Sequence, residues 1–527
     1  MKDRKESTGR GLALKASIVS GMTLISRILG VVRDIVFARY FGPGILLDAF
    51  LVAQRIPNML RRFFAEGAFS AGFVPVMARY RENHSEDEAR EYIDAMAGTF
   101  GIILFVVTLV GVIASPLLVI AVAPGFIGDG GDFDLAALML RFTFPYLFFI
   151  SLTAFAGGVL NTYGRFGIPA FTPVILNVVL IVAAIWLSPL LEEPIMALAY
   201  AIFIAGLLQL LFQIPALAGI RVFPRPKWRP KNDGVKRAFK LMLPAIFGSS
   251  VAQINVLISG IVASLLPIGS ISYLYFSDRL MEFPLGLFGI ALATVTLPHL
   301  SRLWASEDGQ TFSDTLDWSM KLAVLIAVPA AIGLIVLAGP FVTTLFYNET
   351  FDAFKVEMTV KALQAYAIGL VGFSFVKVLV PAFFAREDTR TPVRIGIISL
   401  FVNLALGISL AWYMTQSGFS GPHVGLAIAT SAAAILNALL LYRDLRRAGV
   451  VTHGNGWPKL LLRVLCANTA MGAVLVLFDR SANWWFDAAS LTRVGWLAVT
   501  VIAGAGAYFL VLASLGMRTA DFRLKQR

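Results

Sequence analysis

Long apolar runs recur from one end of this chain to the other, and that pattern leaves few folds open. The stretches 100–122 and 498–515 carry almost no charge. As helices rising about 1.5 Å per residue, such runs cross the roughly 30 Å of bilayer hydrocarbon once tilt and ragged ends are allowed for. Charged residues make up 14% of the 527, where a soluble chain of this size would carry about a quarter. Barrel strands would alternate at period two, and these runs do not, so the class is helical and integral to a membrane.

The loops give the topology. Lys and Arg crowd every second loop: Lys2 to Lys15, then Arg79, Arg81 and Arg90, then the seven cations between Arg221 and Arg237, then Arg386 and Arg390, then Arg443, Arg446 and Arg447, and last Arg518 to Arg527. The loops between are nearly free of cations, and those at Asp129–Asp134 and Glu192–Glu193 are acidic. By the positive-inside rule both termini lie in the cytoplasm, which requires an even number of crossings. Fourteen candidate spans satisfy it. The net charge of +12 then reads as topology and attraction to anionic lipid, with no nucleic-acid module.

The chain also repeats itself. Pro43 and Arg55 find counterparts 224 residues on at Pro267 and Arg279, and Pro75 and Arg79 find theirs 223 on at Pro298 and Arg302. The expected architecture is all-α and polytopic: two pseudo-symmetric six-helix lobes, 1–220 and 221–450, followed by two further helices in 451–527. Parallel repeats of this kind are built into transporters.

Chemistry is expected where charge enters the membrane, because each such residue costs roughly 2.5–3.5 kcal/mol on insertion scales. In the first span Ser26, Arg27, Arg33 and Asp34 share one arc, with Ile25, Ile28, Leu29 and Val32 around the rest. In the second, Asp48, Arg55 and Arg62 sit at heptad spacing, with Asn58 and Arg61 beside Pro57 and Glu66 following. In the eighth, Arg279 and Glu282 share a face with Asp278 at its edge, beside Pro284. Pro57 and Pro284 are expected to interrupt their helices at corresponding points of the two halves, a pointer to a transport site. Two readings stay open for Arg33 with Asp34 and for Arg279 with Glu282: structural ion pairs, or binding groups. As a set, six arginines face four carboxylates, and the excess suits an anionic guest such as phosphate. The Asp129–Asp134 loop reads as a solvated turn, and Trp484 with Trp485 as an interfacial anchor.

Other chemistries are excluded by what is missing. Cys466 stands alone and the four histidines show no ligand spacing, so no metal site is expected. There is no phosphate-binding loop of the nucleotide-hydrolase type, no HExxH and no GxSxG, so no catalytic residue is assigned.

Several motifs resemble the MurJ (MviN) family of lipid II flippases, within the multidrug/oligosaccharidyl-lipid/polysaccharide exporter superfamily. They are SRILGVVRD at 26–34, DAF at 48–50, RIPNMLRR at 55–62, FAEGAFS at 64–70, DRLMEFP at 278–284 and KVLVP at 377–381. The resemblance implies that Arg27, Arg33, Arg61 and Arg279 contact the diphosphate of lipid II, an undecaprenyl-diphosphate-linked disaccharide peptide. It implies that Asp48 and Glu282 shape the cavity or gate, and that the last two helices form a groove for the polyprenyl tail. It places the chain in the bacterial inner membrane as a transporter, not an enzyme, with membrane lipids and cell-wall synthesis proteins around it. No cofactor is expected. Some members bind sodium through acidic residues of the seventh and eleventh spans, and 244–264 and 395–415 hold none. The driver is therefore open between membrane potential and an ion gradient. An exporter of another polyprenyl-diphosphate-linked oligosaccharide is the alternative.

Overall fold

The computed structural model describes residues 2–65, 67–128, 132–451 and 456–517, with side chains from residue 19 onward except 66–68, 247–252 and 287–298. Glu66, residues 129–131 of the acidic loop, His453 and the basic run 518–527 lie outside the described residues. Every described regular element is helical.

The chain divides into two compact units, Met1–Gly269 and Ser270–Arg527. The first holds α1 (Lys2–Tyr40), α2 (Ile45–Phe64), α3 (Gly67–Asn83), α4 (Glu86–Ile113), α5 (Ser115–Val122), α6 (Phe133–Thr143), α7 (Tyr146–Thr162), α8 (Gly167–Val182), α9 (Met196–Gly219) and α10 (Asp233–Ser264). The second holds α11 (Ser270–Ala305), α12 (Gly309–Val336), α13 (Ala338–Phe346), α14 (Ala353–Ala385), α15 (Arg390–Gln416), α16 (Val424–Arg447), α17 (Trp457–Phe478), α18 (Ala482–Asp487) and α19 (Ser490–Ser514). The division falls at Gly269, so α10 packs with the helices that precede it.

Ten helical segments of the described residues are long and apolar enough to cross a membrane. The chain is a multi-pass membrane protein. The four further segments read as spans, on α1, α2, α10 and α11, are those that carry charge in mid-helix or include residues without described side chains. The core of the first unit is aromatic: Phe69 stacks on Phe73 and on Phe100 at 5.1 and 5.0 Å, with Tyr92 and Phe155 against them. In the second unit α17 and α19 pack on α12 through Leu325, Met471, Tyr508 and Leu512.

Several charges read from the sequence have local structural uses. Asp132 caps α6, accepting the Leu135 N–H at 3.0 Å. The basic linker after α9 lies along α4: Asp94 accepts the Arg225 N–H at 2.8 Å and pairs with the Lys227 ammonium at 2.9 Å. Trp485 is buried and donates to Asp479 at 3.0 Å.

Pro57 and Pro284 do not interrupt their helices, contrary to expectation; α2 and α11 run through both. A proline lacks the N–H that would bond the carbonyl four residues back, and in hydrocarbon that carbonyl needs another donor. For Pro57 the orphan is the Ala53 carbonyl, and the Thr143 hydroxyl of α6 donates to it at 3.0 Å. For Pro329 of α12 the orphan is the Leu325 carbonyl, and the Tyr508 hydroxyl of α19 donates to it at 2.8 Å. A hydroxyl from a neighbouring helix thus replaces the missing backbone donor in both units.

This arrangement predicts a coupling. Tyr508→Phe should destabilise the protein by about 1 kcal/mol, the usual scale of a hydrogen bond between membrane helices. In a Pro329→Ala background, where the substituted residue supplies its own backbone N–H, the same change should cost close to nothing. Thermal unfolding of the four variants in detergent gives the coupling, and equal costs in both backgrounds would refute the exchange of donors.

Candidate functional site

The arginines of α1 and α2 stand in different environments, and the differences follow from their neighbours. Arg33 is nearly buried. Its Nη2 and Nε donate to Asp34 Oδ1 at 2.7 and 3.0 Å, and its Nη1 donates to Asn177 of α8 at 3.1 Å. Asn177 in turn donates to the Ser26 carbonyl at 3.0 Å, which ties two turns of α1 to α8 through one amide. The Arg33 guanidinium also lies 5.6 Å from the Phe37 ring. Its charge is therefore compensated within its own helix.

Arg27, two turns earlier and on the same arc, is exposed and forms no hydrogen bond or ion pair among the described residues. Around it Leu24, Ile25, Ile28 and Val32 are exposed too, as an outward apolar face requires. A guanidinium in that setting keeps its charge and all five donors for a ligand or water.

On α2 the arginines lean on α10. Arg62 donates to the buried amide of Gln253 at 3.2 Å, a neutral partner that orients the fork without cancelling its charge. Arg55 lies in a notch at Gly260: a Cβ added there would overlap its guanidinium. Only glycine leaves that space. Arg61 and Asn58 are half-buried on the same helix.

Asp48 has a backbone task. It is buried in the first turn of α2, where the helix dipole favours an anion, and it accepts the Gly269 N–H at 2.7 Å. Gly269 holds φ of +89°, so Asp48 pins the left-handed turn that closes the first unit.

In the second unit Arg279 pairs with Glu282 at 3.0 Å across one turn of α11, and its guanidinium lies 5.3 Å from the Tyr275 ring. Both partners are about half exposed, so water screens the pair and leaves it easily exchanged for another anion. Asp278 is half-buried beside it. Lys377 of α14, in the KVLVP motif, reaches the Leu285 carbonyl at 3.4 Å.

Sequence reasoning missed the residues that hold the arginines. Asn177, Gln253 and Gly260 each sit in an apolar stretch; an amide there was the available signal for Asn177 and Gln253, and Gly260 offered none. Among the described residues no group of His, Cys, Asp and Glu could hold a metal ion.

The profile of the lipid II flippase MurJ matches residues 37–495. The chain belongs to the MurJ family of lipid II flippases. It is 44% identical over 519 residues to the probable lipid II flippase MurJ of Vibrio cholerae, with 96% of each chain covered. It is 40% identical to the lipid II flippase MurJ of Burkholderia cenocepacia, covering 97% of this chain and 98% of the relative. Its fold matches a solved lipid II flippase MurJ in an inward closed conformation, with a TM-score of 0.78, 27% identity and 94% and 98% of the two chains covered. An inward-facing multidrug transporter of the MATE family shares the fold at a TM-score of 0.65 and 16% identity. Members of the MurJ family are transporters, not enzymes.

Gly260→Ala should push the Arg55 guanidinium out of its notch, and overpacking of this kind costs about 1–3 kcal/mol. In an Arg55→Ala background the added methyl should be tolerated. Chemical unfolding in detergent micelles decides the matter: a penalty that persists without the Arg55 side chain means the notch is not shaped for it.

Proposed function

We propose that this chain carries lipid II from the cytoplasmic to the periplasmic leaflet of the bacterial inner membrane by alternating access between its two units. Fourteen crossings with both termini in the cytoplasm are part of this reading, the charged helices α1, α2, α10 and α11 completing the ten apolar segments. The observation that carries the mechanism is the intramembrane guanidinium charge that no carboxylate offsets. Arg27 has no partner among the described residues, and Arg62 is held by a neutral amide. A diphosphate brings at least two negative charges and needs at least two such forks. Arg27, Arg33, Arg61 and Arg279 are the contacts the family motifs point to, with Ser26, Asn58, Arg55 and Arg62 beside them. Asp34, Asp48, Asp278 and Glu282 shape or gate the cavity.

The headgroup enters from the cytoplasmic leaflet while its tail stays in lipid, against the last two long helices, α17 and α19. Binding the diphosphate neutralises the arginines; releasing it outward leaves a cationic empty cavity. Carrying one elementary charge through the membrane field is worth about 2.3 kcal/mol per 100 mV. An inside-negative potential therefore favours return of the empty, cationic state and can drive the cycle without a bound cofactor.

Arg27→Ala, Arg33→Ala, Arg61→Ala and Arg279→Ala should each abolish lipid II flipping in proteoliposomes while insertion is retained, with lysine at the same positions restoring part of it. Wild-type flipping by all four alanine variants would overturn the mechanism. Lipid II run against other polyprenyl-diphosphate sugars in the same vesicles reads out headgroup selectivity.

A further inference from the structure

Away from the arginines of α1 and α2, the basic ends of α14, α15 and α16 flank an open cavity of about 630 Å³. Four arginines line it, Arg386, Arg394, Arg443 and Arg447, against two carboxylates, Asp388 and Asp444. The carboxylates are already committed. Asp444 accepts from both Arg394 and Arg443 at 3.0 Å, and Asp388 accepts the Thr391 N–H at 3.0 Å at the start of α15. Arg386 and Arg447 form no ion pair among the described residues, and the Arg386 Nε is buried without a hydrogen-bond partner. The cavity therefore holds a surplus of two positive charges with donors to spare.

Its remaining lining, apart from Thr391, is apolar: Phe383, Ile395, Ile398 and Ala448. From Ile398 an exposed apolar stripe continues along α15 through Phe401, Ile408 and Trp412, at one- and two-turn spacing. The Arg386 guanidinium lies 5.1 Å from the ring of Trp304, which is itself exposed, as an aromatic at the headgroup level of a bilayer would be. A cationic mouth that opens onto an apolar stripe fits an amphiphile with a phosphate at one end.

We propose that this cavity binds the phosphate headgroup of an anionic phospholipid, whose acyl chains lie along the exposed face of α15. The site is separate from the arginines that serve lipid II, so it stands or falls apart from the transport mechanism. Guanidinium forks meet the phosphate, and Arg386, held over Trp304, keeps its donors in place. Free phosphate would satisfy the same forks but would leave the apolar stripe empty.

The experiment uses the full chain in phosphatidylcholine nanodiscs carrying a small fraction of phosphatidylglycerol, with native mass spectrometry of the released protein counting retained lipid. Wild type should keep phosphatidylglycerol in preference to phosphatidylcholine, and Arg386→Ala with Arg447→Ala should lower that retention about tenfold, as expected for the loss of charge-assisted bonds. Arg447→Glu alone, at an exposed position, guards against misfolding and should lower it as well; both proteins must match the wild type by circular dichroism. Equal retention by wild type and variants overturns the proposal. So does displacement of the lipid by millimolar inorganic phosphate or pyrophosphate, since that makes the occupant a soluble anion.

Discussion

A polar group in hydrocarbon has no water to fall back on, and this fold is arranged around that fact. Helices are the obvious answer, since they bond their own backbone, but this chain places prolines within its membrane helices and each one frees a carbonyl. At Ala53 and Leu325 the freed carbonyl takes a hydroxyl from another helix, Thr143 in one unit and Tyr508 in the other. Pro57 and Pro329 therefore each cost one backbone bond and gain an interhelical one. The helix stays continuous, and the position of a second helix becomes fixed to it.

The same requirement sorts the arginines. Burying an unmatched guanidinium costs several kcal/mol, so each one needs a partner or a wet surface. Arg33 has a carboxylate on its own helix and an amide on the next. Arg62 has an amide alone, Arg55 has a glycine notch, and Arg27 is left exposed. Compensation falls along α1 from Arg33 to Arg27, and capacity for an anion rises in the same direction. The fully paired Arg33–Asp34 unit is consistent with a group that sets the position of α1 and adds little net field. The structural reading of this pair has an observation behind it: Arg33 pins α1 to α8 through Asn177.

Much of this was legible in the sequence. Apolar runs gave a polytopic helical membrane protein, and charge within the runs singled out α1, α2 and α11, because length and charge are both one-dimensional signals. The motif resemblance gave the family. What could not be read were partners far apart in the chain: Asn177 with Arg33, Gln253 with Arg62, Gly260 with Arg55, Thr143 with Ala53. Each depends on which helices become neighbours, and hydrophobic periodicity is silent about that. Pro57 misled for the same reason. A proline predicts a break if its orphan carbonyl has nowhere to go, and here the donor, Thr143, lay ninety residues from that carbonyl.

Two settings for arginine on one chain raise a question of selectivity, since the surrounding bilayer is full of phosphates. Attraction alone does not distinguish a diphosphate from a phospholipid headgroup; both present anionic oxygens to a planar fork. Distance from water does. Near the loops, at Arg386 and Arg447, water and salt screen charge over about 8–10 Å, and a singly charged headgroup with acyl chains on the adjacent stripe suffices. Inside the hydrocarbon zone the same forks act at lower effective dielectric, so each additional charge on the guest counts for more. In the proposed mechanism, guanidinium groups that no carboxylate offsets, such as Arg27 and Arg62, therefore favour a doubly charged diphosphate over a single phosphate. Asp34 and Glu282 each pair with an arginine of their own helix, which lowers the net charge at those two positions. In the proposed mechanism the matched pairs and the unmatched arginines act together: one set lowers the local charge, and the other supplies the reason to bind.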